Sequence, residues 1–417
     1  RSFLIGSISQ NISFVKNVLV SEDVLSTIKC LKKLGVFIKK KSRNSFFIHG
    51  KGLGSLKTIK NTKLNFGNSG TLARLLIGIL TTTPDINVKI QGDSSLNKRS
   101  MKDLIKLMSE FGASFFPKNK FNFPLQMHSS AIPIAIKYKA GVSAQLKSAV
   151  ILASLNSFGE TKIYEDKLSR DHTENMLIKN SKVIKVKGTK KKIIKVQGKK
   201  FLGSLNIDVP GDPSSAAFFT ALTLLNKKSF IKIKNVGLNP TRIGFYNLLR
   251  RQGAKIKFLN THKENNELRG DIIVQSSEIK PIRASKQYYV NSTDEYPILF
   301  IIAALTKGVS IFNGIEDLAN KESNRIKEMQ NVLRQIGIKS IATKDKLKIY
   351  GKNLIEGKNK KINVPSLGDH RICMSSTVLS LVTGIRANIK NFETVKTSSP
   401  NFLKIIKSLG AKFEIRK

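Results

Sequence analysis

The sequence predicts an α/β protein in which one helix–strand unit is used six times. In each copy, a helical stretch ends at a small residue and an apolar, strand-like stretch follows. The copies centre on Gly35, Gly112, Gly253, Gly337 and Gly410, with a degenerate copy at residues 176–184 that has Asn180 and Ser181 in place of the glycine. Glycine is the usual residue just past the last helical turn, and the apolar residues after it predict a strand. Recurrence of the same helix–glycine–strand pattern indicates a repeated structural unit.

A turn-forming segment at residues 235–242, which contains Pro240, separates the third copy from the fourth. Such a segment is typical of a joint between domains. The sequence therefore predicts two similar domains, residues 1–237 and residues 238–417, with three repeats in each. If the helix N-termini of both domains point inward, the cleft between them attracts anions.

The amino-acid composition restricts the classes of function that the chain can have. The chain has 417 residues, is 40% hydrophobic and carries a formal net charge of +45. This charge favours anionic partners. Cys30 and Cys373 are far apart in the sequence, so neither a disulfide framework nor a zinc site is expected, and a reducing, cytoplasmic compartment fits. The longest apolar run, residues 298–305, is far shorter than the roughly 20 residues of a membrane helix.

A lysine-rich run at residues 182–200 admits two interpretations. Its alternating pattern, interrupted at Gly188, predicts a hairpin with one solvated face. A nucleic-acid patch is the alternative, but the chain has no Trp, and its Phe residues lie mostly in apolar runs rather than as stacking platforms. The hairpin is the favoured interpretation.

Residues 67–76 are typical of an anion-binding helix start. Gly67 and Gly70 bracket two small polar residues, and an apolar helical run follows. A glycine turn that opens a helix presents unpaired backbone N–H groups to a phosphate or carboxylate. Asn68 and Thr71 add side-chain donors. An N-capped helix without a ligand is the equally open alternative.

Polar residues also stand close to predicted helix starts elsewhere in the first half of the chain. Arg99 is expected near the start of a helix that follows the turn at residues 92–95. Gln145 opens an unusually apolar helix, which is rare unless its amide has a partner. Ser169 and Arg170 precede a further helix, where Ser169 or Thr173 could instead be simple caps.

In the second half, Asp294 and Glu295 stand directly before a wholly apolar segment, as N-caps or as a buried general base. Lys321 and Arg325 are four residues apart, a spacing that predicts one helix face and, taken alone, favours a solvent-exposed one. Residues 369–371 and 396–401 are two more polar segments of this kind.

Taken together, these phrases resemble the EPSP synthase (3-phosphoshikimate 1-carboxyvinyltransferase) family, in order and over essentially the whole chain. They are Gly67-Asn68-Ser69-Gly70-Thr71, Gly92-Asp93-Ser94-Ser95-Leu96 with Arg99, Ser143-Ala144-Gln145-Leu146-Lys147, Ser169-Arg170-Asp171-His172-Thr173, Val209-Pro210-Gly211-Asp212, Asn239-Pro240-Thr241-Arg242, Asp294-Glu295-Tyr296-Pro297, Lys321-Glu322-Ser323-Asn324-Arg325 and Asp369-His370-Arg371. The resemblance implies two inside-out α/β barrel domains of three repeats each.

It also implies enolpyruvyl transfer from phosphoenolpyruvate to shikimate 3-phosphate in the inter-domain cleft, by a monomer without metal or cofactor. The implied phosphoenolpyruvate ligands are Asn68, Gly70, Arg99, Gln145, Arg325, Arg371 and Lys396. The implied shikimate 3-phosphate ligands are Arg1, Ser143, Ala144, Gln145, Ser169, Arg170, Asp294 and Lys321. Asp294, Glu322 and Lys321 are the implied catalytic residues. Bidentate cations suit substrates that each carry a phosphate and a carboxylate.

The chain departs from the family pattern at four places. Ser100 replaces the usual Pro, Asn324 the usual Asp, and Ser399 a common aromatic residue. The segment that in the family ends at the residue matching Arg1 is represented here by Arg1 alone, so we expect that a strand of the second domain precedes Arg1 in the native protein.

Two alternatives remain. The sister enzyme that transfers enolpyruvate to UDP-N-acetylglucosamine usually relies on a loop cysteine, and neither Cys30 nor Cys373 lies in a comparable loop. A basic RNA-binding protein would explain the net charge and nothing else; binding to RNA that weakens with salt would favour it.

Overall fold

The computed structural model describes residues 1–179, 182–353 and 360–416. The chain divides into unit 1, Arg1–Val209, and unit 2, Pro210–Lys417. Residues 210–237, which the sequence analysis assigned to the first domain, belong to unit 2. The reason is that a strand at Phe230–Gly237 pairs with a strand at Glu267–Gln275, beyond the Pro240 turn. That turn joins neighbouring elements of one unit.

Unit 1 contains seven α-helices and twelve strands within its described residues. The helices are α1 (Ser2–Ile8), α2 (Glu22–Lys33), α3 (Gly70–Thr81), α4 (Ser94–Lys98), α5 (Lys102–Glu110), α6 (Ala144–Ser154) and α7 (His172–Leu177). The strands are β1 (Ile12–Lys16), β2 (Ile38–Ser42), β3 (Ser45–His49), β4 (Lys63–Asn65), β5 (Asn87–Gln91), β6 (Ser114–Phe116), β7 (Leu125–His128), β8 (Lys137–Ala140), β9 (Glu160–Glu165), β10 (Ile184–Lys187), β11 (Lys192–Gln197) and β12 (Asn206–Asp208).

Unit 2 contains seven α-helices and nine strands within its described residues, with short 3-10 helices at Thr293–Glu295, Glu316–Asn320 and Phe392–Thr397. The helices are α8 (Pro213–Leu225), α9 (Gly244–Arg251), α10 (Gln287–Ser292), α11 (Tyr296–Ala304), α12 (Arg325–Gln335), α13 (His370–Thr383) and α14 (Phe402–Ser408). The strands are β13 (Phe230–Gly237), β14 (Lys255–Glu264), β15 (Glu267–Gln275), β16 (Arg283–Ala284), β17 (Gly308–Asn313), β18 (Ser340–Ala342), β19 (Lys346–Gly351), β20 (Lys361–Val364) and β21 (Arg386–Ile389).

The strands form three small sheets in each unit, counted over the described residues. Unit 1 has the orders β12-β1-β3-β2, β4-β5-β7-β6 and β8-β9-β11-β10. Each begins with a parallel pair and continues antiparallel. Unit 2 has β16-β17-β19-β18 with the same pattern, the antiparallel sheet β13-β15-β14 and the parallel pair β20-β21. Four of these six sheets share one design, which supports the repeated α/β unit.

The predicted helix–glycine–strand junctions are largely confirmed. The five glycines follow α2, α5, α9, α12 and α14, and all have positive φ, between 76° and 95°. This left-handed conformation is one that glycine adopts without strain. A strand follows four of them, but residues 411–416 after Gly410 are not a strand, so the prediction was wrong there. The degenerate copy lies between α7 and β10, and its Asn180 and Ser181 are outside the described residues.

The lysine-rich run forms the predicted hairpin. β10 and β11 pair antiparallel, with Ile184 opposite Val196. Ile184, Ile194 and Val196 face the core, whereas Lys185 and Lys187 are exposed. The alternation therefore arises from one buried and one solvated face.

Each unit has its own hydrophobic core. In unit 1 the apolar helices α3 and α6 supply much of it, and in unit 2 all nine residues of α11 are buried. Over the described residues, no helix is both long and apolar enough to cross a membrane. Burial of whole helices explains why their sequences are apolar on every side.

Close packing of α3 against α6 depends on Gly78. A Cβ at this position would lie 2.5 Å from the carbonyl oxygen of Ala149 and 2.9 Å from its Cα. Both contacts are with backbone, which cannot rotate away. Gly78 is therefore required by the approach of the two helices.

We expect Gly78→Ala to lower the free energy of unfolding by about 1–3 kcal/mol, the usual cost of overpacking. This clash outweighs the gain of at most about 1 kcal/mol from helix propensity. Chemical denaturation measures the change. Gly141→Ala is the control, since a Cβ there meets no atom within 4 Å; equal stability of the two variants would contradict the packing argument.

Candidate active site

The start of α3 is built as an anion-binding helix terminus. The Ser69 hydroxyl caps the helix by accepting the Leu72 N–H at 3.2 Å. Gly70 is the first helical residue, and a Cβ on it would lie 2.8 Å from Arg74 Nη1 and 3.4 Å from Arg99 Nη1. The missing side chain thus lets two guanidinium groups approach the helix N-terminus. Positive charge and free N–H groups coincide there.

Arg99 is held in place by a chain of polar contacts. Its Nη2 donates to Asn68 Oδ1 at 2.8 Å, and Asn68 Nδ2 donates to Asp93 Oδ2 at 2.7 Å. The other Asp93 oxygen caps α4 through Leu96 N at 2.7 Å. Arg99 directly follows α4 and lies three residues before Lys102, the first residue of α5, so it is near a helix start as predicted.

Gln145 has the partners that the sequence analysis required. Its Oε1 accepts from Arg74 Nη1 at 2.9 Å, and its Nε2 donates to Thr71 Oγ1 at 2.8 Å. Ser143 caps α6, of which Ala144 is the first residue. The structure therefore brings Gln145, Arg74 and Arg99 together around Gly70.

Ser169 is fully buried and does not cap α7. Its N–H and its hydroxyl both donate to Glu165 Oε1, at 2.8 and 2.7 Å. Nearby, Arg1 Nε donates to Thr173 Oγ1 at 3.1 Å, and Thr173 donates to Ser148 of α6 at 2.8 Å. These contacts attach the segment around Ser169 to α6.

In unit 2, Asp294 lies in the 3-10 turn that precedes α11. Arg242 joins it to the start of α8: Nη2 donates to Asp212 Oδ1 at 2.8 Å, and Nη1 donates to Asp294 Oδ2 at 3.4 Å. The Asp294 side chain is 26% exposed. Glu295 is buried and makes no capping hydrogen bond; burial, assisted by the charge of Asp294, raises its pKa.

Arg325 is among the most deeply buried charges of unit 2. Its Nε donates to Asp369 Oδ2 at 2.9 Å, and its Nη2 donates to Glu322 Oε2 at 2.6 Å. Burial acts to lower its pKa, but these carboxylates outweigh burial and raise it. The predicted solvent-exposed face was wrong, because α12 begins at Arg325. Lys321 precedes that helix and pairs with Asp317 at 2.5 Å.

The start of α13 carries the second buried guanidinium. The Asp369 carboxylate caps this helix by accepting the Arg371 N–H at 2.9 Å. Arg371 lies 5.8 Å from the Phe218 ring centroid. Burial and the charge of Arg371 lower the pKa of His370 to about 4, so its ring is neutral at pH 7.

Three buried N–H donors of this cluster have no hydrogen-bond partner in the described part of the chain. They are Nε and Nη1 of Arg371 and Nη1 of Arg325. Buried donors are normally satisfied, and charged ones almost always. All three belong to positively charged guanidinium groups, which indicates an anionic ligand. Lys396, by contrast, is exposed and pairs with the exposed Glu393 at 3.5 Å.

The profile of the EPSP synthase (3-phosphoshikimate 1-carboxyvinyltransferase) family matches residues 1–406. The chain belongs to the EPSP synthase family. It is 37% identical to the 3-phosphoshikimate 1-carboxyvinyltransferase of Zymomonas mobilis, over 100% of this chain and 92% of that protein. It is 36% identical to the enzyme of the same name from Bacillus subtilis, over 99% and 94%.

Solved structures agree with this assignment. EPSP synthase from Acinetobacter baumannii superposes with a TM-score of 0.85 at 33% identity, over 100% of this chain and 94% of that one. The enolpyruvyl transferase NikO from Streptomyces tendae superposes with a TM-score of 0.73 at 12% identity, which shows a shared fold. The predicted α/β fold is therefore confirmed, and the sister-enzyme alternative is not favoured.

The sequence analysis did not assign Arg74 or Arg242 to the site. Arg74 was read as part of an apolar helical run, although an arginine on that run was itself a signal. Arg242 was read as part of a domain joint. Two departures from the family pattern are accommodated: Asn324 caps α12 by accepting the Lys327 N–H at 3.1 Å, and Ser100 Oγ accepts the Lys102 N–H at 3.3 Å.

Proposed function

We propose that the cationic and acidic side chains described above carry out the reaction of the EPSP synthase family in this chain. In that reaction the enolpyruvyl group of phosphoenolpyruvate passes to the 5-hydroxyl of shikimate 3-phosphate, and phosphate is released. The observation that carries the proposal is the set of buried, unsatisfied guanidinium donors of Arg325 and Arg371. An anion with several oxygen acceptors would satisfy them.

The anionic groups of the substrates are the proposed partners of these residues. In unit 2, Arg325, Arg371 and Lys396 are proposed ligands of phosphoenolpyruvate, and Lys321 and Asp294 of shikimate 3-phosphate. In unit 1, the proposed phosphoenolpyruvate ligands are Asn68, Gly70, Arg99 and Gln145, and the proposed shikimate 3-phosphate ligands are Arg1, Ser143, Ala144, Gln145, Ser169 and Arg170. Desolvated arginine–phosphate and arginine–carboxylate contacts are strong and directional.

The proposed chemistry is addition followed by elimination. Asp294 accepts the proton of the 5-hydroxyl while that oxygen bonds to C2 of phosphoenolpyruvate, and Glu322 or Lys321 donates a proton to the methylene carbon. The tetrahedral intermediate then loses a proton from its new methyl group and expels phosphate, which restores the double bond. Arg242 contacts Asp294, and Arg325 contacts Glu322. Both carboxylates are therefore oriented before substrate binds.

Two properties of the enzyme belong to the proposal as well. We infer that it acts in the cytoplasm as a monomer, with small molecules rather than nucleic acid or membrane as partners. Both cysteines are free and buried, which fits a reducing compartment. Light scattering of the purified chain tests the oligomeric state.

The decisive experiment is an assay of phosphate release from phosphoenolpyruvate. We expect release that requires shikimate 3-phosphate and yields the enolpyruvyl ether. Release with UDP-N-acetylglucosamine and not with shikimate 3-phosphate would establish the sister activity instead. Salt-sensitive RNA binding without any phosphate release would overturn the proposal altogether.

Asp294→Asn should retain both substrates and lower kcat by about 10²–10⁴-fold, because an amide cannot act as the general base. The Asn side chain keeps the shape and can still accept from Arg242. Steady-state kinetics and equilibrium binding of each substrate measure the two effects separately. Turnover near that of the wild type would remove Asp294 from the mechanism.

Arg371→Ala should weaken phosphoenolpyruvate binding by about 30-fold or more, since losing one member of a buried charged contact costs about 2–5 kcal/mol. Binding of shikimate 3-phosphate should change far less. Titration calorimetry with each substrate checks this. Arg386→Ala, an exposed arginine of β21, is the matched control and should bind both substrates normally. Equal losses for both substrates in Arg371→Ala would argue against a specific role.

A further inference from the structure

A buried triad of charges lies in unit 1 beneath the segment that carries Ser169. Lys147 of α6 is fully buried, with its Nζ 2.7 Å from Oε1 of Glu165 and 2.6 Å from Oε1 of Glu174. Both carboxylate side chains are buried too, at 0% and 3% exposure. Glu165 is the last residue of β9, and Glu174 lies in α7. One ammonium group thus joins three elements of the unit.

The charges of the triad do not balance if every group is ionised. Two carboxylates and one ammonium would leave a net negative charge in a site without solvent, which is costly. One retained proton makes the triad neutral. The contacts indicate which carboxyl group holds it.

Glu165 and Glu174 differ in the donors that reach them. Oε1 of Glu165 accepts from Lys147 Nζ and from both the N–H and the hydroxyl of Ser169. Three donors on one oxygen stabilise the ionised form. Oε2 is buried without a hydrogen-bond partner within the described residues in both glutamates, so the difference lies at Oε1: that of Glu174 lies 2.6 Å from Lys147 Nζ and does not receive the Ser169 donors. Burial raises the pKa of the Glu174 carboxyl. Burial therefore favours the neutral form of Glu174, and the two Ser169 donors make Glu165 the carboxyl group that holds the binding segment.

The triad joins two segments that carry proposed ligands of shikimate 3-phosphate. Lys147 is two residues beyond Gln145 in the helix that Ser143 caps. Glu165 holds the backbone and the side chain of Ser169, which directly precedes Arg170. A second tie, from Thr173 to Ser148 at 2.8 Å, joins the same two segments. Neither Lys147 nor the glutamates reach the solvent, so they act through their neighbours.

We propose that Lys147, Glu165 and Glu174 form a positioning unit for shikimate 3-phosphate, in which Glu165 holds the Ser169–Arg170 segment in a fixed place against α6. The inference rests on the proposed function for the identity of the substrate. It assigns unequal roles to two glutamates that share one lysine. Glu165 positions the binding segment, whereas Glu174 completes the neutral triad.

The test compares Glu165→Gln with Glu174→Gln, two changes of the same chemistry and similar burial. Glu165→Gln weakens the acceptor that Lys147 and Ser169 share, and we expect shikimate 3-phosphate to bind about 10- to 100-fold more weakly, as for loss of hydrogen bonds to a charged group. Its KM for this substrate should rise while kcat changes less. Glu174→Gln keeps the neutral triad, so its affinity should stay within about threefold of the wild type.

Amide hydrogen exchange without substrate supplies a second measurement. The amides of residues 169 and 170 should exchange faster in Glu165→Gln and at the wild-type rate in Glu174→Gln. Ser169→Ala, which leaves the charges untouched, should also speed exchange at residue 170 and keeps the test available if Glu165→Gln does not fold.

Equal effects of the two glutamine variants on affinity and exchange would overturn the proposal, and so would unchanged affinity in Glu165→Gln. A wild-type chain that neither binds shikimate 3-phosphate nor releases phosphate would refute the proposed function. In that case, slower or unchanged exchange in Glu165→Gln and Ser169→Ala would also refute the positioning role, and faster exchange would support it.

Discussion

The buried ion pair between Arg325 and Asp369 is the interaction on which the candidate site of unit 2 depends. The two side chains are 2% and 0% exposed. A guanidinium group in such a place is tolerated only when a carboxylate compensates the loss of solvent. Asp369 does so while it also caps α13 through the Arg371 N–H. One carboxylate therefore fixes a helix start, a buried cation and the backbone that carries a second cation.

The same arrangement explains why hydrogen-bond donors of the site remain unsatisfied. The Asp369 and Glu322 carboxylates occupy Nε and Nη2 of Arg325, which leaves Nη1 buried and unsatisfied. Arg371 packs near the Phe218 ring and keeps two such donors. Unit 1 uses related means: Asn68 and Asp93 hold Arg99, and Gln145 holds Arg74. Guanidinium groups that are fixed and keep unsatisfied donors, as those of Arg325 and Arg371 do, are what a substrate with phosphate and carboxylate groups requires.

Much of this was predictable from the sequence, and the failures have physical causes. Glycine at a helix end acts locally, so the repeats were visible in the chain. Residues 411–416 have a strand-like sequence, but a strand also needs a partner, and pairing is not a local property. The division between the two units falls after Val209 and not at residue 237 for the same reason, since β13 pairs with β15.

Site chemistry was predicted unevenly. Helix openings and family motifs indicated Gly70, Gln145 and Arg371. The burial of Arg325 could not be read from its sequence, because Lys321, Glu322 and Arg325 have the spacing of an exposed charged face. Lys147 was hidden inside an apolar helix, where a lone charge is informative only once its partners Glu165 and Glu174, distant in sequence, are known. Long-range compensation of charge is a property of the fold and not of a local pattern.

In our account, buried carboxylates hold in place the cations that bind phosphoenolpyruvate. The affinity of Asp369→Asn for phosphoenolpyruvate, titrated in the presence of shikimate 3-phosphate, tests it most directly. Glu393→Gln, which removes the exposed carboxylate beside Lys396, is the control and should change affinity by less than about threefold. Our account predicts at least about 30-fold weaker binding in Asp369→Asn. Wild-type affinity in a folded Asp369→Asn would contradict it.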